Sequence, residues 1–340
     1  MVTGVADVLQ VENLTTCVAT RNGIITAVDN VSFRLSRGAT LGLVGESGSG
    51  KSMTCLSIQR LLPSNSVVAS GSIRFKGEDL LTKTPRQMEA IRGREIGMIL
   101  QDPMTSLNPV FTIGQQVGEV FRYHKNSRKR DIRSKVLEVL NRVRIPAPAE
   151  RYHSYPHQFS GGMRQRVSIA INIGNHPDLL IADEPTTALD VTVQLQILHL
   201  LREIQQESGM AIIFVTHDLN LVARFCDDVA VMYAGRIVEK GPVKTVFADP
   251  KHPYTRDLLA AIPRISKSGD RLRPIPGQPP VMTNLPKGCR FEPRCRLATE
   301  RCREAYPDWV AQKETGGGLR AGRRQWGQND IAVHRPSGRS

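Results

Sequence analysis

Residues 40–52 read TLGLVGESGSGKS. An apolar run of strand length leads into a glycine-rich loop, and residues 53–62 continue with a helical pattern. Residues 45–52 fit G-x-x-x-x-G-K-[ST], in which glycines let backbone N–H groups turn toward phosphate oxygens at a helix start. The predicted phosphate-binding residues are Gly45, Glu46, Ser47, Gly48, Ser49, Gly50, Lys51 and Ser52. Lys51 is expected to contact the β- and γ-phosphates, and Ser52 to offer its hydroxyl to Mg²⁺.

A second apolar strand ends in two carboxylates, since residues 179–184 read LLIADE. Asp183 is placed to hold Mg²⁺ through its water shell, and Glu184 to orient the attacking water as a base. An acidic strand end that caps a helix would explain this motif alone. The two motifs in one chain instead favour hydrolysis of a nucleoside triphosphate.

The patterns around these motifs predict an α/β fold with a parallel sheet. The buried-type strands 179–182 and 211–215 are separated by a helical pattern over 191–204, as crossover connections require. The first forty residues alternate apolar and polar positions, which indicates an antiparallel β subdomain. Helical stretches at 113–123 and 131–143 predict an inserted helical subdomain over about residues 90–160. Prolines after residue 262 indicate a linker, so we expect domains at 1–262 and 263–340.

Composition excludes several classes of protein. The chain has 340 residues, 40% hydrophobic and 23% charged, which excludes disordered and disulfide-dense chains. No apolar run reaches membrane-spanning length, and the start lacks a signal-peptide pattern. The net charge of +14 would suit a nucleic-acid partner. The excess is concentrated in residues 121–135 and 264–340, which suit a solvated or membrane-facing surface about as well as a nucleic-acid footprint, and no nucleic acid is expected.

Residues 159–166, FSGGMRQR, lie between the two nucleotide motifs and resemble the signature of ATP-binding cassette (ABC) proteins. The resemblance implies a P-loop nucleotide hydrolase in which two cassettes enclose two ATP molecules. Ser160, Gly161 and Gly162 of one cassette would then reach the γ-phosphate held by the other. Backbone N–H groups at a helix start can bind an anion, although Ser160 would also suit a plain helix N-cap.

Further cassette elements have counterparts in the order that the family shows. By resemblance, Gln101 senses Mg²⁺ and the membrane partner and contributes to catalysis, Asp190 lies at the dimer seam, and His217 contacts the γ-phosphate. One position departs from the family, because Val18 stands where cassettes usually carry an aromatic residue that stacks on adenine.

Three stretches resemble the ATP-binding subunits of dipeptide and oligopeptide permeases: residues 101–109 (QDPMTSLNP), 183–192 (DEPTTALDVT) and 252–255 (HPYT). The resemblance implies ATP-driven peptide import at the cytoplasmic face of a bacterial inner membrane. The implied partners are a second, homologous ATP-binding subunit, two transmembrane permease subunits and an extracytoplasmic peptide-binding protein. Import of nickel or another small solute is an alternative, as is a soluble ATPase that acts on ribosomes or nucleic acid.

Cys289, Cys295 and Cys302 have C-x5-C-x6-C spacing, which resembles the cysteine-rich end of these subunits. In that family the cysteines can hold a four-iron, four-sulfur cluster. Val333 stands where the family generally supplies a fourth cysteine, and the adjacent His334 is an alternative ligand. Unmetallated thiols are the other interpretation of this group.

Overall fold

The structure, a computed structural model, describes residues 7–101, 106–123, 131–187, 189–262, 274–307, 309–312 and 331–334. Predictions that concern residues 102–105 of the Gln101 motif, 124–130 of the basic stretch, 188, the 263–273 linker and the rest of the C-terminal tail lie outside these ranges. The chain divides into two compact units. Unit 1 contains residues 1–36, 40–81 and 216–340, and unit 2 contains residues 37–39 and 82–215.

The described strands are, in chain order, β1 (Asp7–Thr20), β2 (Gly23–Ser36), β3 (Thr40–Val44), β4 (Ser66–Phe75), β5 (Glu78–Asp79), β6 (Ile96–Ile99), β7 (Leu179–Asp183), β8 (Ala211–Thr216), β9 (Asp228–Tyr233), β10 (Arg236–Pro242), β11 (Trp309–Gln312) and β12 (Ile331–His334). The described α-helices are Lys51–Gln59, Pro85–Ile91, Ile113–Tyr123, Ile132–Arg142, Pro148–Arg151, Gly161–Ile173, Val191–Ser208, Leu219–Phe225, Val243–Ala248, Pro253–Ala260 and Glu300–Glu304. Short 3₁₀ turns cover Leu80–Thr82, Pro156–Gln158 and Glu292–Arg294.

An antiparallel sheet with strand order β2-β1-β4-β5 forms the first part of unit 1. Its side chains alternate between core and solvent: Val31 and Phe33 of β2 are buried, whereas Arg34 is exposed. This alternation follows from the two-residue period of a strand with one covered face. The predicted antiparallel β subdomain is confirmed.

A second sheet of unit 1 carries the glycine-rich loop. Within this unit β3 pairs in parallel with β9, and β10 pairs antiparallel with β9 and with β12, which in turn pairs with β11. All five residues of β3 are buried, and the backbone N–H of Thr40 donates to the Asp227 carboxylate at 2.8 Å. The loop therefore leaves from the end of a fixed, buried strand.

The helix after the loop differs slightly from its predicted range of 53–62. It spans Lys51–Gln59 and ends because Arg60 adopts a left-handed conformation with φ 51°. The Arg60 N–H then bonds to the carbonyl groups of Leu56 and Ser57. The earlier start puts Lys51 and Ser52 in the first helical turn.

Parallel pairing of β6, β7 and β8 forms the strand layer of unit 2. Leu179 lies between Ile96 and Ala211 in this register, and β7 and β8 are buried along their whole length. A strand covered on both faces requires continuous apolar residues, so the prediction of a parallel sheet is confirmed.

Helices Ile113–Tyr123 and Ile132–Arg142 also lie in unit 2, and their positions match the stretches predicted at 113–123 and 131–143. They pack on each other and on the helix Gly161–Ile173. A Cβ at position 114 would come within 2.6 Å of the Tyr152 ring, so glycine allows the backbone to approach this ring closely. Among the described residues, no helix is long and apolar enough to cross a membrane.

Candidate functional site

The glycine-rich loop in unit 1 has a backbone that requires glycine at two positions. Gly45 and Gly50 have φ values of 150° and 100°. A Cβ on Gly45 would lie 2.1 Å from the carbonyl oxygen of Met232, and one on Gly50 would lie 2.5 Å from that of Ala27. The backbone is thus pressed against neighbouring strands, and its positive φ values are typical of a phosphate-binding loop.

Lys51 is the first residue of the helix after the loop and is only 7% exposed. Its Nζ donates to the carbonyl oxygens of Gly45 at 2.8 Å and Glu46 at 3.0 Å, and lies 3.5 Å from Ser49 Oγ. A buried ammonium beside the N-terminus of a helix attracts an anion by charge and by N–H groups. The loop and Lys51 therefore suit the phosphates of a nucleotide.

Ser47, Gly48 and Ser52 are exposed around this loop, whereas Ser49 is buried. Ser49 supports the loop from within, because its carbonyl oxygen accepts a hydrogen bond from the Gly235 N–H at 2.9 Å. The Ser52 hydroxyl belongs to the first helical turn, and a hydroxyl oxygen is a ligand that suits Mg²⁺. The loop residues divide into an accessible edge and a buried support.

The two carboxylates of unit 2 differ in their surroundings. Asp183 is the last residue of β7 and is 5% exposed. Glu184 is half-buried and has a left-handed backbone with φ 48°, and its N–H bonds to the Val215 carbonyl oxygen at 2.9 Å. Adjacent carboxylates in such different environments suit different tasks.

The structure brings Gln101 and Glu184 together. Gln101 Nε2 donates to Glu184 Oε2 at 3.0 Å, and Thr187 Oγ1 donates to the same oxygen at 2.9 Å. These donors fix the orientation of the Glu184 carboxylate. Gln101, Glu184 and the adjacent Asp183 thus offer oxygen atoms of the kind used in Mg²⁺ ligation and general base catalysis.

Ser160 and Asp190, also in unit 2, are both helix N-caps. The Ser160 side chain accepts from the Met163 N–H at 3.3 Å, and Asp190 Oδ1 accepts from the Val193 N–H at 2.9 Å. A Cβ on Gly162 would lie 2.7 Å from Val193 Cγ1, which explains glycine at that position. Gly161 is less constrained, with Leu189 as its nearest neighbour at 3.4 Å. The N-cap interpretation of Ser160 is confirmed, and Ser160 is exposed at the start of the 13-residue helix.

His217 belongs to unit 1 and is exposed at the turn that follows β8. The next residue fixes this turn: the Asp218 N–H donates to Thr216 Oγ1 at 3.0 Å, and Asp218 Oδ1 accepts from the Asn220 N–H at 2.8 Å. The backbone at His217 is therefore held on both sides. Val18 lies on β1 opposite Ile25 of β2, and both side chains are partly exposed.

Two residues around the loop were not predicted from the sequence. Arg294 pairs with the carboxylate of Glu46, and the Tyr254 hydroxyl accepts from the Glu46 N–H at 3.0 Å. Tyr254 is part of the HPYT stretch and Arg294 stands inside the cysteine-rich stretch, so both lie in segments that the sequence had marked for other reasons. Nothing in their local pattern indicates a contact with residue 46.

The three clustered cysteines are free thiols with different exposure. Cys289 and Cys302 are buried and Cys295 is half-buried. Burial raises the pKa of the Cys289 thiol to about 11 and also raises the pKa of Cys295. Within the described part of the chain, no group of three or more His, Cys, Asp or Glu residues is arranged to hold a metal ion. The side chain of His334 lies outside the described residues. These residues as arranged do not fit an iron–sulfur cluster.

Comparisons with known proteins agree with the motifs. A family model described as "ABC transporter" matches residues 28–187, and one described as "Oligopeptide/dipeptide transporter, C-terminal region" matches residues 238–302. A putative peptide import ATP-binding protein of Brucella melitensis is 51% identical over 302 residues, covering 89% of this chain and 91% of the relative. Another, from Brucella ovis, is 49% identical over 322 residues, covering 91% and 95%.

Solved structures give the same result for the fold. The ATP-binding cassette MJ0796, a dimer bound to ADP and phosphate, aligns with a TM-score of 0.62 and 26% identity, over 69% of this chain and 98% of that one. The protein cbiO1 of Clostridium perfringens, part of the ABC transporter complex cbiONQ, aligns with a TM-score of 0.62 and 30% identity, over 72% and 91%.

Fold and site thus define a P-loop ATP hydrolase of the cassette class, as the sequence predicted. The chain belongs to the family of ABC transporter ATP-binding subunits, and it carries the C-terminal region of oligopeptide and dipeptide transporters. Subunits of this family generally dimerise and work with permease subunits.

Proposed function

We propose that this chain hydrolyses ATP to drive uptake of dipeptides or oligopeptides across a bacterial inner membrane. The observation that carries the cargo assignment is the match of residues 238–302 to the C-terminal region of oligopeptide and dipeptide transporters. The names of the Brucella relatives, putative peptide import ATP-binding proteins, agree with it. Nickel or another small solute is the cargo to exclude by experiment.

In this proposal, the loop of residues 45–50 binds the triphosphate with backbone N–H groups other than that of Glu46, which donates to the Tyr254 hydroxyl. Lys51, held by two carbonyl oxygens of its own loop, moves its ammonium onto the β- and γ-phosphates. Ser52 supplies a hydroxyl to Mg²⁺. When bound, Mg²⁺ offsets part of the charge that develops on the phosphoryl oxygens.

Glu184 acts in the proposal as the base that orients the attacking water, with its carboxylate held by Gln101 and Thr187. Asp183 and Gln101 provide further oxygen donors for the magnesium shell. His217 contacts the γ-phosphate. The support for Glu184 over Asp183 as the base is its greater exposure and its two directed hydrogen bonds.

Two cassettes would close around ATP, with Ser160, Gly161 and Gly162 at the helix start of one subunit facing the nucleotide of the other. Asp190 would lie at the seam between them. The exposed end of the helix Gly161–Ile173 supports this role because it presents N–H groups and a positive dipole end to an anion.

The proposed complex contains a second, homologous ATP-binding subunit, two transmembrane permease subunits and an extracytoplasmic peptide-binding protein. The chain would attach to the cytoplasmic face of the membrane through the permease. The basic surface then needs no nucleic-acid partner. Salt-sensitive binding of RNA or DNA without any association with a permease would instead favour the soluble alternative.

The iron–sulfur cluster is a separate question from ATP hydrolysis. Since the described residues do not fit such a cluster, no step of the proposed mechanism depends on it. Iron and acid-labile sulfide content of protein purified without oxygen, compared with Cys289→Ser, tests the point. Stoichiometric iron that is lost in Cys289→Ser would establish a cluster; iron-free native protein would exclude it.

The test of the function is uptake of labelled dipeptides, oligopeptides and nickel in cells that express the native chain or Lys51→Ala at equal levels. Loss of peptide uptake with normal nickel uptake is the expected result. Loss of nickel uptake alone would keep the ATPase but overturn the peptide cargo. Unchanged uptake of both would refute the assignment to these transport systems.

A further inference from the structure

A salt bridge joins the C-terminal region to the phosphate loop within unit 1. Arg294, in the 3₁₀ turn Glu292–Arg294, lies 248 residues from Glu46 in the sequence. Its Nη1 contacts Glu46 Oε2 at 2.7 Å and its Nη2 contacts Oε1 at 3.1 Å. The two parallel bonds make a bidentate arginine–carboxylate pair, which fixes direction as well as distance. The Arg294 side chain is only 5% exposed, so solvent screens this pair weakly.

The guanidinium of Arg294 is itself fixed on its other sides. Its Nε donates to the Pro276 carbonyl oxygen at 2.8 Å, and its Nη1 also donates to the Tyr233 hydroxyl at 3.3 Å. It lies 5.8 Å from the ring centroid of Tyr233 and 5.9 Å from that of Phe291. Its orientation is therefore set independently of Glu46, and Glu46 is held by a rigid partner.

The backbone of Glu46 is held from the same side. Its N–H donates to the Tyr254 hydroxyl at 3.0 Å. The Tyr254 ring packs at 4.5 Å from Tyr233 and 5.4 Å from Phe291, centroid to centroid. The aromatic cluster that supports Arg294 thus also positions the Tyr254 hydroxyl that accepts from the Glu46 N–H.

These contacts lead directly to the lysine of the loop. The carbonyl oxygen of Glu46 accepts from Lys51 Nζ at 3.0 Å. Arg294 therefore fixes the carboxylate of Glu46, and the carbonyl oxygen of Glu46 helps to position the Lys51 ammonium. A shift of Glu46 would move this carbonyl and would also leave an uncompensated carboxylate beside the triphosphate.

We propose that Arg294 is a positioning residue through which the C-terminal region sets the affinity of the phosphate loop for ATP. It acts in two ways: it neutralises Glu46 and it holds the loop in its binding conformation. The inference rests on the phosphate-binding role proposed above for residues 45–52. It assigns to the C-terminal region a part in nucleotide binding besides any part in transport.

The test measures equilibrium binding of ATP and steady-state hydrolysis with the full-length chain. Arg294→Ala is expected to raise the ATP Kd and KM about tenfold, with kcat at saturating ATP within about twofold of the native value. Arg303→Ala is the matched control, since Arg303 is nine residues further along the chain and its exposed side chain pairs with Glu292 and not with the loop. It should leave Kd and KM unchanged.

A rescue variant separates the charge effect from general damage. In Arg294→Ala the Glu46 carboxylate repels the triphosphate, so adding Glu46→Gln should restore the Kd to within about threefold of native. Arg294→Lys, which keeps the charge but not the fork, should fall between native and Arg294→Ala. Thermal unfolding of each variant checks that the chain is folded.

Three results would overturn the proposal: native ATP affinity in folded Arg294→Ala, equal weakening by Arg303→Ala, or no rescue by Glu46→Gln. If Arg294→Ala is unfolded, Arg294→Lys with native ATP affinity would overturn it as well. Native ATP binding by Lys51→Ala would refute the role of the loop itself, and that result is distinct from a failure of Arg294 alone.

Discussion

Replacement of Glu184 by glutamine tests the proposed base with little change in structure. Gln101 and Thr187 both donate to Glu184 Oε2, at 3.0 and 2.9 Å. An amide oxygen in that position can still accept both hydrogen bonds, so the cost in the free energy of unfolding should stay within about 1 kcal/mol. The amide cannot accept a proton from water, so the chemical step should be lost while the binding site remains.

The expected size of the kinetic effect follows from general base catalysis. Loss of a positioned base lowers the rate about 10²- to 10⁴-fold, which corresponds to about 2.7–5.4 kcal/mol in the activation barrier. The ATP Kd should change by less than about threefold, because phosphate binding is assigned to residues 45–52. The effect is therefore expected in kcat and not in Kd, the reverse of the pattern expected for Arg294→Ala.

The assay combines phosphate release at saturating ATP, equilibrium binding of ATP and thermal unfolding. Glu207→Gln is the matched control, because Glu207 undergoes the same chemical change in the same unit, in a surface pair with Arg142 at 3.0 Å. Native turnover in Glu184→Gln would remove Glu184 from the role of base. A kcat loss accompanied by an equal loss of ATP binding would show that Glu184 contributes through binding instead.

Three further predictions concern the same chain. Gly45→Ala places a Cβ 2.1 Å from the Met232 carbonyl oxygen and should lower the free energy of unfolding in urea by about 2 kcal/mol or more. Gly48→Ala, with open space around position 48, should lower it by about 1 kcal/mol. Equal losses of stability in the two variants would contradict the clash. Burial raises the pKa of Cys289 to about 11, so its thiolate fraction at pH 8 is about 100-fold below that of an ordinary thiol. Alkylation followed by mass spectrometry should show slowing of this order in metal-free protein, and labelling as fast as in urea would refute it. Burial raises the pKa of Glu239, so its contribution to stability is complete below the unfolded pKa of about 4.3 and falls as pH rises through the folded pKa. In urea unfolding between pH 4 and 7, the stability of Glu239→Gln relative to native protein should therefore increase with pH. A constant difference would show that Glu239 does not titrate in this range.

The sequence predicted those parts of the fold that depend on local pattern. The apolar runs at 179–182 and 211–215 indicated buried parallel strands, because a strand covered on both faces has no polar positions. The glycine loop was predictable because its backbone needs positive φ values at Gly45 and Gly50, and this requirement appears in the sequence as a glycine motif. The family resemblance was confirmed by matches that include both the cassette and the C-terminal region.

Contacts between distant segments were not predictable from one sequence. Gln101 and Glu184 were each identified, but their hydrogen bond joins residues 83 apart. The pair of Arg294 and Glu46 was missed altogether, because an arginine next to a cysteine has no periodic pattern and its partner is 248 residues away. The helix end at Arg60 also differed from expectation, since a left-handed arginine leaves no compositional signal.

The pairing of β3 with β9 has a consequence for synthesis of the chain. Leu41 lies opposite Asp228, so the strand that carries the phosphate loop leaves the ribosome far ahead of its parallel neighbour in unit 1. Such long-range pairing is slow to form, and Arg294 is translated later still. The growing chain therefore contains all of its nucleotide-binding motifs before the segment with Arg294, which supports the phosphate loop, has been synthesised. A stop codon between residues 217 and 294 would release a product with every such motif and no arginine to hold Glu46.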